Sequence, residues 1–172
     1  SICTPDHTHY EITKIILNSE KKPDIIFLEK PICHNLNEYY SLLKLSNKTK
    51  IPIIINHSRR FNSDFINIKN LIHENYFGKL IRINANYYNG LIHNGTHIID
   101  TIIFLLDESI TFKNINNLNF CSYQKDKTFD IYGQSDNTCI PVDIKAIDEN
   151  YYQIFEFDFW FSKARLRIEN FG

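Results

Sequence analysis

Two short runs, Asp24-Ile-Ile-Phe-Leu-Glu29 and Ile51-Pro-Ile-Ile-Ile-Asn56, are apolar on both faces. A strand of that kind must be covered by helices on each side, which points to the parallel sheet of an α/β fold. Helical patterns stand in the right places. Before Asp24, Thr8 and Glu11 form a capping box, and Ile12, Ile15 and Ile16 supply an apolar stripe. Between the two runs Asn35 is an N-cap, Glu38 can return the capping contact, and Leu36, Tyr39, Tyr40 and Leu43 share one face. With a strand-like Ser1-Ile2-Cys3 in front, the order is β, α, β, α, β from Ser1 to Asn56.

From Asn62 the pattern changes. A helix with Phe65, Ile68, Leu71 and Ile72 on one side stops near Gly78. Ile81, Ile83, Ala85 and Tyr87 then alternate with Arg82, Asn84, Asn86 and Tyr88, the period-2 signature of a half-exposed strand. An apolar helix runs from about Thr96 to Leu106. Further alternation follows at Ile140 to Ala146, Phe155 to Phe161 and Leu166 to Ile168, so the second part reads as an open, mostly antiparallel sheet with helices on one face. The Asn-rich stretch Asn114 to Asn119 reads as a loop or an irregular strand. The domains are therefore residues 1–57 and 58–172, and the fold class is α/β followed by α+β.

Composition narrows the partners. The chain has 172 residues, 43% hydrophobic, with 19 Lys and Arg against 20 Asp and Glu. A net charge of −1 gives no large pull toward nucleic acid or an anionic membrane. Its longest apolar runs fall far below the ~20 residues of a membrane-spanning helix. The four cysteines, Cys3, Cys33, Cys121 and Cys139, form no Cys-x-x-Cys pair, so reduced thiols in a cytoplasmic protein are expected. A small molecule is the expected ligand.

In open parallel sheets ligands bind beyond the carboxyl ends of the strands. The first strand delivers Thr4-Pro5-Asp6-His7-Thr8-His9 into a helix N-terminus, the second Glu29-Lys30-Pro31, the third Asn56-His57-Ser58-Arg59-Arg60. Lys30 beside Glu29 suits proton handling or substrate polarisation; a solvated Glu-Lys pair is the competing reading. A second cluster is His93-Asn94-Gly95-Thr96-His97-Ile98-Ile99-Asp100. On a helix Asp100 would lie near enough to orient His97 as a general base. His93 and His97 as metal ligands, and His97 as a core histidine, remain open, although His-Glu-x-x-His is not present. Gly90-x-x-x-x-Gly95-Thr96 lacks the Lys of a phosphate loop, and no Gly-x-Gly-x-x-Gly occurs among the five glycines.

Taken in order, Thr4-Pro5-x-x-x-His9, Glu29-Lys30-Pro31, Arg59-Arg60-Phe61, Phe77-Gly78-Lys79-Leu80 and Gly95-Thr96-His97-Ile98-Ile99-Asp100 resemble the motifs of the Gfo/Idh/MocA family of NAD(P)-dependent oxidoreductases. The resemblance implies a Rossmann domain and an α/β domain with the nicotinamide of NAD or NADP held between them. It implies Lys30 at the nicotinamide ribose and reacting hydroxyl, and His97 as the acid/base. It also implies Thr4, Pro5, His9, Glu29, Pro31 and Arg60 on the cofactor, with Asn56 and Asn94 toward substrate. Inositol-dehydrogenase-like members have an Asp where this chain has His93, which is counted with the catalytic residues and suggests a sugar or nucleotide-sugar pocket.

Measured against that family the chain reads as a piece of a longer protein. The glycine-rich loop and the residue choosing NAD or NADP are expected before Ser1, and the end at Glu169-Asn170-Phe171-Gly172 looks cut. Half a Rossmann sheet exposes a strand edge, so the piece alone is expected to be marginal or inactive. The whole protein is expected to oxidise or reduce a sugar-like substrate, without a metal, as a homo-oligomer, dimer or tetramer, through its C-terminal sheet. A non-catalytic binding relative on the same scaffold, and a hydrolase with a metal at His93 and His97, are the alternatives.

Overall fold

The computed structural model describes residues 1–121 and 126–169, without the side chains of Asn119 and Cys121. The chain forms two compact units, Ser1–Ser58 and Arg59–Gly172.

In the first unit, strands β1 (Ile26–Glu29) and β2 (Ile53–Asn56) pair in parallel, with Ile26 opposite Ile53 and Glu29 opposite Asn56. The expected strand at Ser1 contributes one bridging residue: Ile2 lies parallel to Leu28, donating its amide to Phe27 and accepting from Glu29. Helices α1 (His9–Asn18) and α2 (Leu36–Thr49) complete a core of Ile2, Leu17, Ile26, Leu28, Leu42 and Ile51.

Both helices differ from the sequence reading in the face they bury. Leu36, Tyr39, Tyr40 and Leu43 are exposed, while Leu42 is fully buried and Leu45 packs beside it. On α1 Ile15 is exposed, Ile12 and Ile16 are partly covered, and the buried positions are His9, Thr13 and Leu17. Of these, His9 hydrogen-bonds to the loops, as described below, while the Thr13 hydroxyl is buried with no hydrogen-bond partner among the described residues. The predicted cap at Asn35 is present, its Oδ1 accepting from the Glu38 amide at 3.0 Å. Thr8 makes no cap. A 3-10 turn, Asp6–Thr8, precedes α1, and the Thr8 hydroxyl donates to Thr4 and Pro5.

The second unit is a six-stranded sheet of order β4-β5-β6-β3-β7-β8. Its strands are β3 (Leu80–Tyr87), β4 (Ile110–Cys121), β5 (Lys127–Ser135), β6 (Pro141–Ala146), β7 (Glu156–Phe161) and β8 (Arg165–Ile168). All neighbours are antiparallel except β3 and β6. Helices α3 (Ser63–His73) and α4 (Thr96–Leu106) supply Phe65, Ile98, Ile102 and Leu105 to a core with Ile83, Tyr87, Phe157 and Phe159. Truncating a fully buried Phe in such a core costs about 3–5 kcal/mol. Ile83, Ala85 and Tyr87 point inward as their spacing predicts. Ile81 is exposed, because the ladder to β7 shifts register between Leu80 and Arg82 and the bulge turns that side chain out. The Asn-rich run belongs to β4, irregular through two register shifts. Among the described residues no helix is long and apolar enough to cross a membrane.

Candidate active site

The predicted site residues fall into two groups, one in each unit. In the first unit the loops after the strands are tied together by His9. Its ring is buried, with Nδ1 2.7 Å from the Pro31 carbonyl oxygen and Nε2 2.8 Å from that of Thr4. His9 therefore serves the loop geometry, holding Thr4-Pro5 against the turn that contains Lys30 and Pro31. The Lys30–Pro31 bond is cis. At the strand ends the Asn56 side chain donates to Glu29 Oε1 at 2.6 Å. That bond joins side chains already opposite each other in the β1–β2 register, and it gives Glu29 a partner in the neighbouring strand.

The chemistry of these residues fits part of a dinucleotide site. Thr4, Lys30 and Asn56 offer hydroxyl, ammonium and amide groups just past the carboxyl ends of parallel strands, where open α/β sheets take their ligands. The chain has no glycine-rich phosphate loop to add to them.

In the second unit α4 begins at Thr96, as its apolar pattern predicts, and carries His97 and Asp100 one turn apart. Arg60 reaches the Asp100 carboxylate from the 3-10 turn Ser58–Phe61. Asp100 holds its guanidinium more firmly protonated, against a smaller opposing effect of burial. The sequence reading put Arg60 with the cofactor and Asp100 with His97, and did not pair the two. Beside it the Arg59 guanidinium stacks 4.2 Å from the centre of the Phe155 ring, and burial lowers its pKa.

Ahead of α4 the backbone is unusual. Asn89 and Gly90 both have positive φ, and Leu91–Gly95 form a single π turn that contains His93 and Asn94. Such turns are frequent at functional sites. His93 meets a residue that the sequence reading missed. Asp126 Oδ2 lies 2.9 Å from His93 Nδ1 and accepts the His93 backbone amide at 2.8 Å. The Asp126 side chain is only 4% exposed. The two residues are too far apart in the chain for any spacing rule to join them. Among the described residues no group of three or more His, Cys, Asp and Glu side chains could hold a metal ion.

Residues 1–57 match the Gfo/Idh/MocA oxidoreductase family, NAD-binding Rossmann fold. An uncharacterized oxidoreductase of Schizosaccharomyces pombe is 25% identical over 132 residues, 65% of this chain and 35% of that protein. A scyllo-inositol dehydrogenase from Lactobacillus casei, solved with NAD(H) and scyllo-inositol, superposes with a TM-score of 0.75 at 17% identity, covering 97% of this chain and 56% of its own. A super-repressor mutant of Gal80p from Saccharomyces cerevisiae gives 0.79 at 17% identity, covering 98% and 54%. The chain thus spans about a third of the curated relative's length and about half that of the solved ones. By the match over residues 1–57, the chain carries part of the NAD-binding Rossmann fold of the Gfo/Idh/MocA oxidoreductases.

Proposed function

We propose that this chain is part of an NAD(P)-dependent oxidoreductase acting on a secondary hydroxyl or ketone of a sugar, nucleotide-sugar or cyclitol. The observation that carries the reading is the family match over residues 1–57, whose strand ends present Glu29-Lys30-Pro31 and Asn56. A bound dinucleotide supplies the acceptor for the hydride that leaves the substrate carbon. Lys30 binds the nicotinamide ribose and donates a hydrogen bond to the reacting oxygen. His97 takes the hydroxyl proton during oxidation and returns it during reduction. His93, Asn56 and Asn94 orient the remaining hydroxyls. A solved relative with scyllo-inositol bound supports the substrate class. A homo-oligomer is supported by Tyr132 and Trp160, large aromatics exposed on the six-stranded sheet.

The test is Lys30→Ala in the full-length protein. Turnover should fall by about 10²–10⁴-fold, the usual worth of a positioned proton-handling group, with little change in melting temperature. Unchanged turnover would remove Lys30 from the reaction. The match to a Gal80p super-repressor favours a second reading, a dinucleotide-binding regulator without turnover. It predicts NAD or NADP binding with no activity across a panel of sugars and cyclitols.

A further inference from the structure

Three side chains of α4, Asp100, Phe104 and Asp107, are each met by a cation from the chain that precedes the helix. Residues four and seven apart share one face of a helix, so these contacts form a line along it. Arg60 pairs with Asp100 and lies 5.6 Å from the centre of the Phe104 ring. Lys69, on α3, pairs with Asp107 at 3.2 Å and lies 4.9 Å from the same ring. The two ends of the line differ. Asp107 caps the end of the helix with its side chain 71% exposed, whereas the Asp100 side chain, one turn past His97, is only 14% exposed. A shielded carboxylate that loses a cation must move toward water, while an exposed one is hydrated where it stands. Removing Arg60 therefore disturbs the turn that carries His97. Removing Lys69 acts about 15 Å further along the helix, at 1.5 Å per residue, and leaves that turn in place.

We propose that Arg60 is a positioning residue, which through Asp100 fixes the turn of α4 on which His97 stands and gives its guanidinium edge to that carboxylate rather than to the cofactor. The inference rests on the reading of His97 as the acid/base. Arg60 touches no reacting atom. Its effect on rate comes from geometry, since misplacing a catalytic group by about 1 Å can cost on the order of 10²-fold.

The experiment compares Arg60→Ala with Lys69→Ala in the full-length protein. In calorimetric titrations with NAD and with NADP, Arg60→Ala should bind whichever of them the parent binds with the same Kd. A Kd weakened about tenfold or more, the loss of at least 1.4 kcal/mol that a direct contact would bring, overturns the proposal in favour of a cofactor contact. On the best substrate of a sugar and cyclitol panel, Arg60→Ala should lower kcat by about 10–100-fold with KM nearly unchanged. Arg60→Lys, which keeps the charge but not the two-pronged geometry, should recover part of that loss, and Lys69→Ala should turn over like the parent. Equal losses in Arg60→Ala and Lys69→Ala overturn the proposal, because both would then act only through stability. Amide hydrogen exchange needs no turnover. Arg60→Ala should speed exchange at amides 98–101 and leave 104–107 as in the parent, and unchanged protection at 98–101 overturns the proposal. If the parent binds a dinucleotide and shows this exchange pattern but turns over nothing on the panel, the catalytic reading fails and the hold of Arg60 on α4 stands.

Discussion

The guanidinium of Arg60 meets Asp100 along one edge, with Nε 3.0 Å from both carboxylate oxygens and Nη2 2.8 Å from Oδ1. This is the two-pronged geometry in which an ion pair gains most, and it anchors the entry of the second unit to the helix that carries His97. Because Arg60 is partly solvated, the pair should be worth about 1 kcal/mol rather than several. A double-mutant cycle with Arg60→Ala and Asp100→Ala, read by urea unfolding, checks this; a coupling energy of zero would show that the two charges act separately.

Gly90 should tolerate no side chain. Alanine there would combine a positive φ with a Cβ driven into the Asp126 carboxylate. Gly90→Ala is expected to destabilise the chain by about 1–3 kcal/mol. Chemical denaturation gives the value, and a variant as stable as the parent would mean that Asp126 moves aside freely.

Tyr87 should ionise at a higher pH than an ordinary tyrosine. Burial pushes its phenol up to about 12, outweighing the bond its hydroxyl donates to the Phe129 carbonyl. A folded-state value above the unfolded one, about 10, means that its contribution to stability is whole below pH ~10 and is lost as pH rises through 12. Ultraviolet titration of phenolate should therefore show a late step, and Tyr87→Phe should remove it.

Acid stability should depend on Asp158. The Arg165 guanidinium bonded to it holds its carboxyl below the usual range, with a smaller opposing effect of burial. Since the folded value is the lower one, the stabilisation is present above the unfolded carboxylate pKa of about 3.9 and is lost as pH falls through the folded value. Asp158→Asn should flatten the fall in melting temperature on the acid side and leave the neutral plateau nearly as level as before. An unchanged acid slope would sink the assignment.

Elements whose buried face follows a simple period were readable from the sequence. The helix Thr96–Leu106 and the inward residues of β6 and β7 are where their spacing puts them. The errors share a cause. On α2 the face with more apolar residues is solvated, and the helix contributes Leu42 and Leu45 to the core instead. At Ile81 a bulge breaks the period. In the candidate site, residue types and order pointed to Lys30, His93 and His97, but partners were invisible. Asp126 is distant from His93 in sequence and lies between β4 and β5 rather than on a helix, and Asn56 finds Glu29 only through strand register.

The placement of β3 in its sheet sets the order in which the second unit can assemble. Ile83 has Val142 on one side and Phe159 on the other, so neither edge of this central strand is satisfied by anything near it in sequence. During synthesis β3 must wait, with both ladders open, until β6 and then β7 leave the ribosome. Pairings of such long sequence separation fold slowly and keep a sticky edge in play. The sheet of the second unit can therefore close around β3 only once β6 and β7 are both available to pair with it.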